Sequence, residues 1–126
     1  MNRVVHFEIS VDDVKRAVQF YQDVFDWEIK KWGDMEYWLI TTGKENTSGI
    51  DGAIMKRSFP AGSGTVNTIS VEDIQVAIEK ITKAGGTTIS DIEEIPTIGL
   101  FCYCTDTEKN RFGILQPYPC DNSDCL

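Results

Sequence analysis

The sequence predicts an α+β fold in which two βαβββ repeats form paired curved mixed sheets around a cleft, with the helices outside. The main observation is an internal repeat, since residues 9–14, Ile-Ser-Val-Asp-Asp-Val, return sixty residues later as residues 69–74, Ile-Ser-Val-Glu-Asp-Ile. The same offset pairs Ala17 with Ala77. The sixty-residue offset is therefore the same in the predicted strand and in the helix that follows it. Because neither half can bury both faces of its own sheet, the halves are predicted to combine.

The first half opens with a strand and a helix. The segment from Val4 to Val11 alternates apolar and polar residues, which predicts a half-buried strand with His6 and Glu8 on its polar face. Asp12 or Asp13 can cap the helix that follows. Apolar residues in that helix recur at spacings of three and four, so one stripe is predicted to lie on a sheet. Three further strands are predicted, at residues 27–32, 35–42 and 49–56.

A segment rich in glycine and proline follows, and the same order of elements then repeats. The second helix is predicted to end at Gly85 and Gly86, which favour helix termination. The strands of this half are predicted at residues 65–71, 87–89, 100–105 and 111–116. The predicted organisation is one domain with a first module at residues 1–56, a linker at 57–64, a second module at 65–117 and a tail at 118–126.

The net charge of -8 excludes a typical nucleic-acid-binding protein, because affinity for phosphate backbones comes mainly from clustered Lys and Arg. No apolar run approaches the roughly 20 residues needed to span a bilayer. Met1, Asn2 and Arg3 lead directly into the first strand, so no signal peptide is predicted. These features predict a cytosolic protein without nucleic-acid or membrane partners.

Four cysteines occur, and two arrangements are open. Cys102 and Cys104 alternate on a strand, where small thiols commonly pack in a core, while Cys120 and Cys125 lie in the polar tail. A zinc site of four thiolates is conceivable, but neither pair has the two-residue gap of zinc knuckles. Reduced, structurally passive cysteines are the favoured interpretation for a cytosolic chain.

The repeat, the opening strand with His6 before a Val-Asp-Asp helix start, and residues 106–116, Asp-Thr-Glu-Lys-Asn-Arg-Phe-Gly-Ile-Leu-Gln, resemble the vicinal oxygen chelate superfamily. That group includes glyoxalase I, bleomycin-resistance proteins, extradiol dioxygenases and methylmalonyl-CoA epimerase. The resemblance covers about residues 4–117 and implies the fold more specifically than the function. It also implies a homodimer.

In metal-dependent members, as the resemblance implies, the metal ligands come from inward-facing positions on the first and last strands of each half. The corresponding positions here are His6, Ala53, Val66 and Gly113. Only His6 can bind a metal, and a divalent ion commonly needs three or more protein ligands. The resemblance therefore implies a small-molecule-binding protein of the glyoxalase and bleomycin-resistance type, with no metal cofactor expected. The alternative is a metal-dependent lyase, isomerase or dioxygenase.

Residues facing the predicted cleft are the candidate site. His6 and Glu8 are two apart on one strand and are candidates for general acid–base catalysis, although a role in ligand contact alone is favoured. Aromatic residues on the inward-facing parity of two strands would hold a flat or apolar organic ligand. A place in the core under the helices is an equally open role for each of these aromatic residues. The predicted ligand-binding residues are His6, Glu8, Tyr37, Trp38, Ala53, Val66, Thr68, Phe101, Tyr103 and Gly113.

Overall fold

A computed structural model describes residues 1–57 and 64–119 of the chain. Within these ranges it contains two helices, α1 (Val14–Phe25) and α2 (Ile74–Lys83). The strands are β1 (Val4–Val11), β2 (Glu28–Lys31), β3 (Tyr37–Thr41), β4 (Gly52–Lys56), β5 (Thr65–Ser70), β6 (Thr87–Thr88), β7 (Glu93–Ile95), β8 (Gly99–Thr105) and β9 (Arg111–Pro117). The predicted α+β class and the repeated strand–helix–strands order are confirmed.

The chain divides into two compact units. The first unit is His6–Val66, and the second unit is Met1–Val5 with Asn67–Leu126. In the first unit the strands lie in the order β2, β3, β4, β1. The pair of β1 and β4 is parallel, and the other two pairs are antiparallel. In the second unit β5 pairs with β9 in parallel, and β9, β8 and β6 follow as antiparallel neighbours.

One face of the first unit's sheet is covered by α1. Asp13 caps this helix by accepting a hydrogen bond from the backbone N–H of Arg16 at 3.0 Å. Asp26 ends it in the left-handed conformation at φ 57°, which aspartate tolerates better than most residues. The apolar core under the helix consists of Val14, Val18, Ile29, Ile40 and Ile54, with Phe7, Ile9, Val11, Ala17, Tyr21, Trp27 and Trp38 packed around them.

The second unit repeats this packing with α2. Asp73 accepts hydrogen bonds from two backbone N–H groups at the start of the helix. A third, from Ile74, is accepted by the side-chain oxygen of Gln116 at 2.9 Å. Gln116 therefore lies on the helix-facing side of β9 and satisfies a group that the helix leaves unpaired. The buried core here is Val71, Ile74, Cys102, Cys104 and Ile114.

Cys102 and Cys104 are free and buried in this core, which confirms their predicted packing role. Burial raises the pKa of Cys104 to about 12, so this thiol stays protonated at neutral pH. Cys120 and Cys125 lie outside the described residues. No helix in residues 1–57 and 64–119 combines the length and apolar character needed to cross a membrane.

Most strand ends lie within two residues of their predicted positions, and two differences from the sequence prediction are larger. Strand β7, which pairs with β8, was not predicted, because it is three residues long and two of them, Glu93 and Glu94, are of a type that strands disfavour. Residues 49–51 were predicted to begin a strand but precede β4. There the carboxylate of Asp51 accepts hydrogen bonds from the backbone N–H and hydroxyl of Thr42, which organises a loop instead.

Candidate functional site

The candidate site lies on the face of the first unit's sheet opposite α1. Alternation along β1 places Phe7 on the helix side, so His6 and Glu8 are on the other side. Strand β4 links β1 to β3, with Glu8 paired to Ala53 and Ala53 paired to Leu39. Tyr37 is two residues from Leu39 and therefore shares the same face. The strand order thus brings a tyrosine from β3 to the two polar residues of β1.

Hydrogen bonds join the three side chains. The Tyr37 hydroxyl donates to Oε2 of Glu8 at 2.8 Å. The same hydroxyl oxygen lies 2.8 Å from Nε2 of His6. Glu8 is only 5% exposed, and a carboxylate so far from water needs hydrogen-bond donors. We call His6, Tyr37 and Glu8 the polar array.

Burial lowers the pKa of His6, and this is the largest influence on its imidazole. The negative charges of Glu8 and Asp51 oppose the effect by favouring the protonated ring. Because the net direction is downward from an ordinary value of 6.5, the ring is neutral at pH 7. A neutral imidazole has one N–H donor and one nitrogen acceptor, so it can exchange hydrogen bonds with a ligand.

Apolar side chains flank the polar array and are partly accessible. Trp32 is 42% exposed, and its ring meets that of Tyr37 edge-on with centroids 5.8 Å apart. Leu39, on the same face as Tyr37, is 39% exposed. Sequence reasoning did not assign either residue to the site. The turn between β2 and β3 is the signal that places Trp32 beside Tyr37, since the Trp32 N–H donates to the Tyr37 carbonyl.

Ser10 continues the polar face of β1 beyond Glu8. The residue is 4% exposed, and its hydroxyl has no hydrogen-bond partner among the described residues. A buried hydroxyl without a hydrogen-bond partner costs free energy, so the Ser10 hydroxyl is available to bond to a group that the protein itself does not supply. The face that carries the polar array therefore also carries unused hydrogen-bonding capacity.

Trp38, predicted as a ligand-binding residue together with Tyr37, is on the opposite side of β3. Its ring packs against the core under α1, next to Ile54. Successive residues of a strand point to opposite faces, so Tyr37 and Trp38 cannot both join the polar array. Tyr37 is the one that shares the face of His6. Ala53 lies on β4 between β1 and β3 and is fully buried.

The remaining predicted ligand-binding residues are Val66 and four residues on strands of the second unit. Val66 and Thr68 are buried, at 1% and 3% exposure. Gly113 pairs with both Thr68 and Tyr103, so these residues share one face of their sheet. A Cβ atom on Gly113 would lie 2.5 Å from the Phe101 ring. The Phe101 ring therefore occupies the space beside this glycine, in edge contact with Tyr103, with the ring centroids 4.7 Å apart.

The side chains at the family's metal-ligand positions do not fit a divalent ion. Ala53, Val66 and Gly113 carry no donor atom, and Nε2 of His6 is engaged with Tyr37. In residues 1–57 and 64–119, no group of three His, Cys, Asp or Glu side chains is placed to hold a metal. Divalent ions in oxygen and nitrogen sites commonly take three or more protein ligands. We therefore derive no chemistry through a metal.

Comparison with known proteins supports the α+β fold described above. Residues 3–43 match the family model described as bleomycin resistance protein-like N-terminal. A glyoxylase-like domain-containing protein from Didymella fabae is 31% identical over 115 residues, which cover 85% of this chain and 88% of the relative.

Solved structures show the same fold at lower identity. A glyoxalase/bleomycin resistance protein/dioxygenase superfamily member from Vibrio splendidus 12B01 is 22% identical with a TM-score of 0.64, over 90% of this chain and 97% of the other. Methylmalonyl-CoA epimerase from Streptomyces coelicolor, in complex with 2-nitronate-propionyl-CoA, is 12% identical with a TM-score of 0.63, over 94% and 99%. The chain therefore belongs to the glyoxalase, bleomycin-resistance and dioxygenase superfamily, which is the vicinal oxygen chelate superfamily.

Proposed function

We propose that this protein binds a small organic molecule at the polar array and does so without a catalytic metal. The observation that carries the proposal is the hydrogen-bonded set of His6, Tyr37 and Glu8. The family's other metal-ligand positions, Ala53, Val66 and Gly113, have no side-chain donor atom. Binding sites for small molecules typically combine apolar walls with a few fixed polar groups. The array supplies the fixed polar groups.

The ligand that this face suits has an apolar or aromatic body and at least one polar group. Trp32 and Leu39 supply accessible apolar surface beside the array, and Tyr37 adds an aromatic ring. Aromatic side chains contact flat organic molecules through burial and ring stacking. Ser10 offers a further buried hydroxyl on the same strand. The solved epimerase structure is a complex with 2-nitronate-propionyl-CoA, which supports a small organic ligand as the general class.

Other parts of the proposal depend on the family resemblance. The superfamily resemblance supports a homodimer, and the sequence composition supports a cytosolic location. A metal-dependent lyase, isomerase or dioxygenase is the competing function, and it needs donor atoms that Ala53, Val66 and Gly113 do not have.

A titration with 4-methylphenol and with indole, followed by NMR, tests the proposal. We expect saturable shifts at His6, Tyr37 and Trp32, because these residues combine polar and aromatic contacts. His6→Ala should weaken binding by about tenfold, the equivalent of one lost hydrogen bond at roughly 1.4 kcal/mol. Phe20→Ala, on an exposed side chain of α1, is the matched control and should leave binding unchanged. Shifts spread over the surface, or equal binding by His6→Ala, would contradict the proposed site.

A further inference from the structure

We propose that Tyr37 is a positioning residue that fixes His6 as its Nε2–H tautomer, so that Nδ1 becomes the acceptor offered to the ligand. The ligand class follows, namely an organic molecule that presents a hydrogen-bond donor such as a hydroxyl group. The ligand half of this inference rests on the proposed binding function. The tautomer half concerns the free protein and can be measured without a ligand.

Counting hydrogens along the array gives the tautomer. A carboxylate accepts hydrogen bonds and has no hydrogen to donate, so the single hydroxyl hydrogen of Tyr37 points to Oε2 of Glu8. The Tyr37 oxygen then has only lone pairs to offer to His6, whose Nε2 lies 2.8 Å away. The hydrogen between those two atoms must therefore belong to Nε2. Glu8 thus determines the tautomer of His6 through Tyr37.

The other ring nitrogen is the chemically available one. A neutral imidazole carries a single N–H, so a hydrogen on Nε2 leaves Nδ1 as a lone-pair acceptor. Among the described residues no side chain or backbone group makes a hydrogen bond to Nδ1. Burial favours the neutral ring by lowering the pKa of His6. The direction of the hydrogen bonds therefore selects Nδ1 as the acceptor of the neutral ring.

Nitrogen-15 NMR of the free protein tests the tautomer, and it is unusually direct because His6 is the only histidine in the chain. Above pH 7 we expect Nε2 to show the signature of a protonated ring nitrogen and Nδ1 that of an unprotonated one. In Tyr37→Phe, the ratio of Nε2–H to Nδ1–H forms should fall about threefold to tenfold, as for loss of one hydrogen bond. Tyr21→Phe keeps its ring stacked on Trp27 and should leave the ratio unchanged.

Either of two results would overturn the tautomer assignment. One is a predominant Nδ1–H form in the wild-type protein. This result would exclude the assigned tautomer even if the Tyr37→Phe variant does not fold, because the measurement needs only the wild-type protein. The other is a tautomer ratio that is the same in folded Tyr37→Phe as in wild type, since a merely structural tyrosine would leave the ring unaffected.

Addition of 4-methylphenol, with 4-methylanisole as the control that lacks the donor, tests the ligand half. We expect 4-methylphenol to shift the Nδ1 resonance and 4-methylanisole to leave it unmoved. Equal shifts from the two compounds would overturn the role of Nδ1 as acceptor. No shift from either compound, with the wild-type tautomer as assigned, would count against the proposed binding function and not against the positioning role of Tyr37.

Discussion

Ile54→Ala is expected to lower the free energy of unfolding by about 2–5 kcal/mol, the range for truncating a buried isoleucine in a packed core. Ile54 is fully buried under α1, on the strand that lies between β1 and β3. The truncation removes buried apolar contacts and leaves a cavity that the sheet can only partly close. Because β4 also holds β1 and β3 in register, the distance from Tyr37 to Glu8 should become less well defined. Urea denaturation followed by circular dichroism measures the change.

Ile89→Ala is the matched control for this experiment. Its side chain is 42% exposed, so the same truncation should cost less than about 1 kcal/mol. Equal losses at Ile54 and Ile89 would contradict the assignment of Ile54 to the core of the first unit.

Gly52→Val is the second large effect, and we expect a loss of about 3 kcal/mol because overpacking a fixed backbone forces it to move. Gly52 pairs with Phe7 across the parallel strands β4 and β1. A Cβ atom at this position would collide with the Phe7 backbone carbonyl and would lie 2.7 Å from the Phe7 ring. The carbonyl cannot rotate away without breaking the strand pair. Thermal unfolding monitored by circular dichroism measures the loss.

Gly43→Ala provides the comparison, because its Cβ would lie 3.5 Å from the Thr47 hydroxyl, an ordinary contact. At a position without strain, alanine restricts the unfolded chain and should stabilise the protein by about 0.4–1 kcal/mol or leave it unchanged. An unfolding temperature for Gly52→Val that equals that of Gly43→Ala would contradict the close approach of β1 and β4.

Local patterns were sufficient to predict much of the fold. The repeat at residues 9–14 and 69–74 gave both helix starts, and Asp13 and Asp73 are the caps. Alternation along β1 was sufficient to put His6 and Glu8 on one face. These features depend on residues close in sequence, for which spacing alone determines geometry.

The contacts that make the site depend on the order and register of strands. Tyr37 reaches His6 only because β4 lies between β1 and β3, and the periodicity of a strand does not specify its neighbour. The same limit applies to Gly113, because it is the pairing of β8 with β9 that brings the ring of Phe101 against this glycine. Trp32 was not assigned to the site, because its contact with Tyr37 forms at a turn, where the alternation of a strand does not specify which side chains meet.

Metal content is the most direct test of the central claim that the polar array works without a catalytic metal. The purified protein would be incubated with excess Zn²⁺, Mn²⁺, Ni²⁺ or Mg²⁺, freed of unbound ions and measured by plasma mass spectrometry beside His6→Ala. We predict far less than one ion per chain for each metal, with no difference between the two proteins, because the donor set is incomplete. One ion per chain in the wild-type protein, lost in His6→Ala, would contradict the claim and favour the metal-dependent alternative.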